Sequence, residues 1–291
     1  MSRADWRRPP LKPLKEGVRR FAITISYDGG VYAGWQVQND AITVEGEIEK
    51  ALQQMLGEKI VVEGSGRTDS GVHALGQVAH FDITNPTIPS RAFLLGLNGK
   101  LPLSIRILSC HEVDGTFHAR FTAMAREYCY SIKRVRETLP FDAGYVLRVR
   151  ELPDLDLLNS YAKYLVGTHD FTTFTSSGDI CPSKWRDIYE SYWTMEKDRY
   201  GYDVLTYTIC GNAFLYHMVR SLVGTQLEFA NKQRPSSDFR DILEKKQRSL
   251  CGRTADSCGL YLKRISYDSD EYAWFEEDER WQGVKARSDG K

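Results

Sequence analysis

The segment FAITISY, residues 21–27, alternates Phe21, Ile23 and Ile25 with smaller residues, the two-residue period of a strand with one face in a core. The period then changes. In TVEGEIEKALQQMLG (43–57), Val44, Ile48, Ala51, Leu52 and Met55 fall on one helical face, with Thr43 placed to cap the first turn and Gly57 to stop the last. Strand spacing returns at 60–65 and again in QVAHFDI (77–83), where Ala79, Phe81 and Ile83 share a side. A helix from about Ser90 and a strand at 105–113 complete a first half. The second half repeats this grammar: a long strand over 123–135, a helix over 154–167, and a hairpin over 192–211 turning near Arg199 to Gly201. A helix over 214–230 then turns Leu215, Met218, Val219, Leu222 and Val223 inward, followed by a helix over 236–247 and a last strand over 259–266. Strands and helices mix without strict βαβ alternation. This predicts the α+β class, a large mostly antiparallel sheet with helices on one face.

Composition changes this picture little. A chain of 291 residues can bury a full core as one large domain or two compact ones. Lys plus Arg equals Asp plus Glu at 39 each, so no overall field advertises a polyanionic partner. The ends differ from the middle, however: residues 1–20 carry seven Lys/Arg against two acids, whereas DSDEYAWFEEDE (268–279) has no base at all. We read 1–18 as a basic flexible extension and 269–291 as an acidic flexible tail. Cys110, Cys129, Cys181, Cys210, Cys251 and Cys258 form no C-x-x-C pair and no zinc spacing, which suits reduced thiols in the cytoplasm and no metal. No apolar run approaches the roughly 20 residues of a membrane span, and no signal peptide follows Met1.

The stretch with most chemistry in it is GSGRTDSG, residues 64–71, lying between two predicted strands. A dinucleotide-binding loop would need glycine where Asp69 stands, and a phosphate loop would need Lys and Ser/Thr where Val72 and His73 follow Gly71. A carboxylate would also repel a phosphate. The loop is therefore built to present Asp69, flanked by Arg67; the plain alternative is an Asx turn closing a hairpin.

GRTDSGVHALGQVAHFD resembles the signature of the TruA family of tRNA pseudouridine synthases. YDGGVYAGWQVQ (27–38), FHARFTAMAREYCYSI (117–132), GTHDFTTF (167–174), GNAFLYHMVRSLVGT (211–225) and GRTADSCGLYL (252–262) are similar to its other blocks, in the family's order. The departures are Ser70, where alanine is commoner, and Asp256, where proline often stands. The resemblance implies a pseudouridine-synthase fold: two ferredoxin-like or RRM-like halves, 19–114 and 115–268, joined in one sheet with a catalytic cleft between them. It also implies a homodimer that isomerises uridines at positions 38 to 40 of the tRNA anticodon arm without cofactor or metal.

By that resemblance Asp69 is the nucleophile and Arg220 its ion-pair partner. Tyr128 is the wall for the flipped base, Leu260 borders the uracil, and Arg67 enters the stem in place of the uridine. The residues themselves leave plainer readings open. Tyr128 and Leu260 could be ordinary sheet residues, and Arg67 could form a surface salt bridge, although the glycines at 64 and 66 favour close approach of another molecule. Apolar neighbours on the wheel favour a partnered Arg220. His73 and His80 are read as polar loop or strand residues. Seven Lys/Arg within 119–150 (Arg120, Arg126, Lys133, Arg134, Arg136, Arg148, Arg150), against three acids, could follow a phosphate backbone. Two rival activities remain: a non-catalytic RNA binder, against which the intact Arg67-Thr68-Asp69 triplet argues, and a glycoside or nucleoside hydrolase, which would need a second carboxyl group.

Overall fold

The computed structural model describes residues 13–267. Most of the basic N-terminal extension and the acidic tail lie outside the described residues. The strands are β1 (Arg19–Tyr27), β2 (Val62–Gly64), β3 (His73–Ile83), β4 (Ile105–Val113), β5 (Ala125–Arg134), β6 (Leu147–Val149), β7 (Gly167–Asp170), β8 (Trp185–Lys197), β9 (Asp203–Gly211) and β10 (Leu260–Ser266). The helices are α1 (Val44–Leu56), α2 (Ser90–Lys100), α3 (Leu155–Ala162), α4 (Met218–Asn231) and α5 (Ser236–Lys245).

All ten strands join one sheet, in the order β4-β1-β3-β10-β5-β9-β8-β7, with β2 added to β3 and β6 to β5. Neighbours are antiparallel except β3–β10 and β5–β6. The architecture is α+β, as the periodicities predict. Its narrowest join is β3–β10, where only Tyr261 faces His73 and Leu262 faces Ala74.

Two hydrophobic cores flank that join. In the first, Phe93 of α2 meets Phe21 of β1 and Phe81 of β3 at ring separations of 4.9 and 5.1 Å. This core also takes in Phe117, Ala119, Ala123, Leu262, Ile265 and Tyr267. In the second, Tyr161 of α3 stacks on Phe239 of α5, and Phe229 of α4 meets both edge-on. The Trp193 indole N–H donates to the Gln226 side-chain oxygen at 2.8 Å, fastening α4 to β8. Burying rings of this size supplies roughly 1.5–3 kcal/mol each.

Helix α1 follows its caps: Thr43 accepts from the Gly46 N–H, and Gly57 ends the helix in the left-handed conformation at φ 76°. Elsewhere tertiary pairing moves the boundaries. Strand β3 begins at His73, not 77, because HALG pairs with β1 and β10 despite its weak alternation. Gln77 and His80 are as buried as Ala79 and Phe81, so this strand is covered on both faces. Strand β8 starts at Trp185, well before 192, and the short strands β6 and β7 had no pattern to announce them. Helix α4 begins at Met218, not 214, for a reason that belongs to the site.

Candidate active site

The loop between β2 and β3 is held mainly by backbone. Ser65 N–H donates to Val78 O at 2.8 Å, Trp35 N–H to Thr68 O at 3.1 Å, and Val72 N–H to Asp69 O at 3.1 Å. The Gln77 amide reaches Gly66 O, and the Tyr27 hydroxyl meets Thr68 Oγ1 at 2.8 Å. A Cβ on Gly64 would lie 2.5 Å from the Trp35 indole nitrogen, so this glycine serves internal packing and not approach by another molecule. Gly66, by contrast, faces open space. Gly71 has φ +76°, a conformation that costs glycine least. The bend therefore fixes the Asp69 backbone and leaves its side chain 26% exposed, next to solvent but not in it.

Arg220, on the first turn of α4, faces this carboxylate with Nη1 3.5 Å from Asp69 Oδ2. Its Nε donates to Ala255 O at 2.8 Å, and Ala255 N–H returns a bond to Arg220 O at 3.1 Å. The guanidinium is thus clamped at one edge and aimed with the other, as a planar fork permits. A Cβ at Gly224 would overlap the Arg253 carbonyl, so glycine there lets the 253–255 segment lie against α4. Arg220 is partnered, not a solvent-facing helix arginine.

A second partner went unread in the sequence. His217 Nε2 lies 3.4 Å from the same Asp69 oxygen. Burial, together with the nearby Arg220 and Arg248 guanidiniums, holds this histidine below its usual range although Asp69 pulls the other way. A neutral ring can donate one hydrogen bond to the carboxylate without adding charge. Sequence spacing did not announce it, because His217 stands at the left-handed N-cap of α4, outside the helix its neighbours form.

Tyr128 lies on β5, between Leu262 of β10 and Ile209 of β9, and its ring packs edge-on against Phe214 at 5.1 Å. Burial pushes its hydroxyl up to about 12, and the Asp69 carboxylate adds to the rise. Arg67 is exposed, and among the described residues no hydrogen bond or ion pair holds its guanidinium. Leu260 is 5% exposed and lies in the second core, opposite Tyr130.

Much of the basic stretch is committed inside the molecule. Lys133 is buried and bonded to Asp142 and Asp198 at 2.6 and 2.8 Å, Arg134 pairs with Glu137 and Asp203, and Arg126 donates to four backbone carbonyls, Ser65 O among them. Arg120 donates no side-chain hydrogen bond among the described residues but lies over the Phe121 ring, while Arg148, Arg150 and Arg136 are exposed, the last in a surface ion pair with Glu151 at 3.5 Å. Within this stretch the exposed cations are thus these four.

His73 is buried between strands, accepting from Gly29 N–H at 3.1 Å and stacking on Tyr261. His80 accepts from Ala119 N–H at 3.3 Å, and burial pushes it down to about 3. With Glu63 and His118 it forms the trio of potential metal ligands among the described residues, its members within 4.8 Å of one another. The His118 Nδ1 accepts from Arg120 N–H, and its Nε2 faces Glu63 at 3.1 Å, so the trio is already engaged in its own hydrogen bonds. Among the described residues no helix is long and apolar enough to cross a membrane.

The family model described as "tRNA pseudouridine synthase" matches residues 23–122 and 161–268. A tRNA pseudouridine synthase A of Lacticaseibacillus casei is 42% identical over 248 residues, covering 85% of this chain and 99% of that protein. Enzymes of the same name from Ligilactobacillus salivarius and Anoxybacillus flavithermus are 40% and 41% identical, each spanning 87% of this chain and 98% and 100% of their own. The matched segments of the family model include the Asp69 loop and the start of α4, while Tyr128 falls between them. The chain belongs to the tRNA pseudouridine synthase family and is a tRNA uridine isomerase.

Proposed function

We propose that Asp69 is the nucleophile with which this enzyme converts uridine to pseudouridine in the anticodon arm of tRNA, at positions 38 to 40. The observation that carries the reading is the convergence of Arg220 Nη1 and His217 Nε2 on Asp69 Oδ2, at 3.5 and 3.4 Å. The guanidinium and the imidazole orient this carboxylate for attack on an extruded base. In the reaction the N1–C1′ bond breaks and a C5–C1′ bond forms. N1 gains a proton, C5 loses one, and the carboxylate that held the detached fragment is released unchanged.

A uridine in a stem reaches Asp69 only after extrusion from its stack. Tyr128 supplies a ring face for the extruded base, and stacking worth roughly 1–3 kcal/mol offsets part of that cost. Arg67 then enters the space the uridine leaves, a reading supported by its exposed side chain and by open space at Gly66. Leu260 supports the strand beneath Tyr128 and borders the base from the core side. The working assembly is a homodimer in the cytoplasm, with one tRNA touching both subunits.

The test is the product. Incubated with a synthetic anticodon stem-loop, the enzyme should yield an isomerised uridine with mass unchanged and no free uracil, and Asp69→Asn should yield neither while still binding the RNA. Released uracil would make the enzyme a hydrolase, and turnover by Asp69→Asn would remove Asp69 from the chemistry.

A further inference from the structure

Helix α4 starts at an unusual corner. His217 has φ 60° and ψ 6°, a left-handed conformation uncommon for residues other than glycine, and its carbonyl accepts the first helical bond from Ser221 N–H. The corner matters because it directs the imidazole toward Asp69, while Arg220 reaches the same oxygen from the first turn. The constraint lies one residue earlier. Tyr216 has both backbone groups captured by the loop after β7: Ser176 N–H donates to Tyr216 O at 3.1 Å, and Tyr216 N–H donates to Asp179 Oδ2 at 2.8 Å. The Tyr216 ring then stacks on the His217 ring at 3.9 Å.

Asp179 is the organiser of that loop. Its side chain is 4% exposed and accepts from Thr175 Oγ1, Cys181 N–H and Lys184 Nζ as well as Tyr216 N–H. A buried carboxylate satisfied by four donors is a rigid element, because each donor would be orphaned if it moved. Together with the Ser176 N–H bond to Tyr216 O, the Asp179 bond to Tyr216 N–H ties the corner to the body of the loop.

We propose that Asp179, remote from the reacting atoms, is a positioning residue that acts through Tyr216 to hold His217 against Asp69. This rests on the reading of Asp69 as nucleophile, and it extends the reaction's support to a loop outside the nucleophile's own segment. Lys184 supplies the charge that keeps Asp179 in place, and Ser176 closes the second side of the clamp.

The experiment is a double-mutant cycle on full-length enzyme with an anticodon stem-loop transcript, read as kcat and KM separately. Asp179→Ala should lower kcat about tenfold with KM within about twofold, and the same change made in a His217→Ala background should lower kcat no further. Asp179→Asn, which keeps an acceptor for Tyr216 N–H, should recover most of the loss. Circular dichroism and thermal melting confirm that each variant is folded; if Asp179→Ala is not, the Asn variant and Ser176→Pro, which deletes the other half of the clamp, carry the same cycle. Equal fractional losses in both backgrounds would overturn the proposal. So would a rise in KM at unchanged kcat, which would make the loop an RNA contact. Turnover by Asp69→Asn would sink the nucleophile reading alone, since the coupling between positions 179 and 217 is a ratio measured independently of it.

Discussion

Residues before and after the β4–β5 connection contribute to the site by different means. The earlier part offers one acid, Asp69, on a loop fixed by main-chain bonds to Trp35, Val78 and its own turn. The later part offers one cation and two rings, Arg220 on α4, His217 at its N-cap and Tyr128 on β5, with side-chain contacts helping to aim each. A main-chain cradle tolerates no adjustment, whereas side chains on a helix and a strand can be exchanged singly. The first should therefore fail outright when altered and the second by degrees.

Arg220→Met tests the later part most severely. It keeps the stem and removes the charge, and should lower kcat about a hundredfold with KM within a few-fold, as loss of an interaction aimed at the reacting group would. Steady-state kinetics on the stem-loop decide it; a pure KM effect would move Arg220 from the chemistry to RNA binding.

Tyr128 should show a graded pattern. Tyr128→Ala should cost about tenfold to a hundredfold in kcat/KM, the size of one lost stacking contact, and Tyr128→Phe only a small part of that. Should the two variants be equally poor, the hydroxyl takes part in the reaction.

Arg67→Ala sharpens the comparison from the other side, because Arg67 sits in the main-chain cradle yet faces outward. Affinity should stay within about tenfold, while a uridine stacked in the stem should react more slowly than one already unpaired. Equal fractional rates on both RNAs would leave the loop serving Asp69 alone.

The smallest effect is on stability. His80 is held near 3, mainly by burial, against an ordinary value of 6.5. The unfolded chain then binds a proton in this interval that the folded chain refuses, so stability should fall as pH drops from about 6.5 toward 3. His80→Asn keeps an acceptor for Ala119 N–H without titrating. Its melting temperature should be a few degrees lower near neutrality, yet decline less steeply in acid than that of the wild type. Parallel pH profiles for the two proteins would show that His80 is not the group responsible.

The same division explains what could be read in advance. Thr43, Gly57 and the apolar face of α1 are local signals, and the structure follows them. So does the Asp69 loop, whose glycines punctuate the chain at short range. The start of α4 could not be read that way. Leu215, Met218, Val219 and Leu222 keep helical spacing through residue 217, but Tyr216 gives its bonds to Ser176 and Asp179, some 40 residues away, and tertiary contacts override periodicity. His217 was hidden inside that misread turn. Likewise Lys133 and Arg134 read as part of a basic stretch because two of their partners, Asp198 and Asp203, are distant in sequence.

The two-residue ladder between β3 and β10 has a consequence for how the enzyme is made. Strand β10 is the last of the ten, yet it sits in the middle of the sheet, between β3 and β5. A chain emerging from the ribosome in order can assemble β4-β1-β3 early and β5-β9-β8-β7 later, but no ladder joins the two until residues 260–266 arrive. Such late, long-range closure is slow, and until it happens the carboxylate and its two partners belong to separately folding pieces. Catalytic competence is thus withheld until nearly all the described chain has been synthesised.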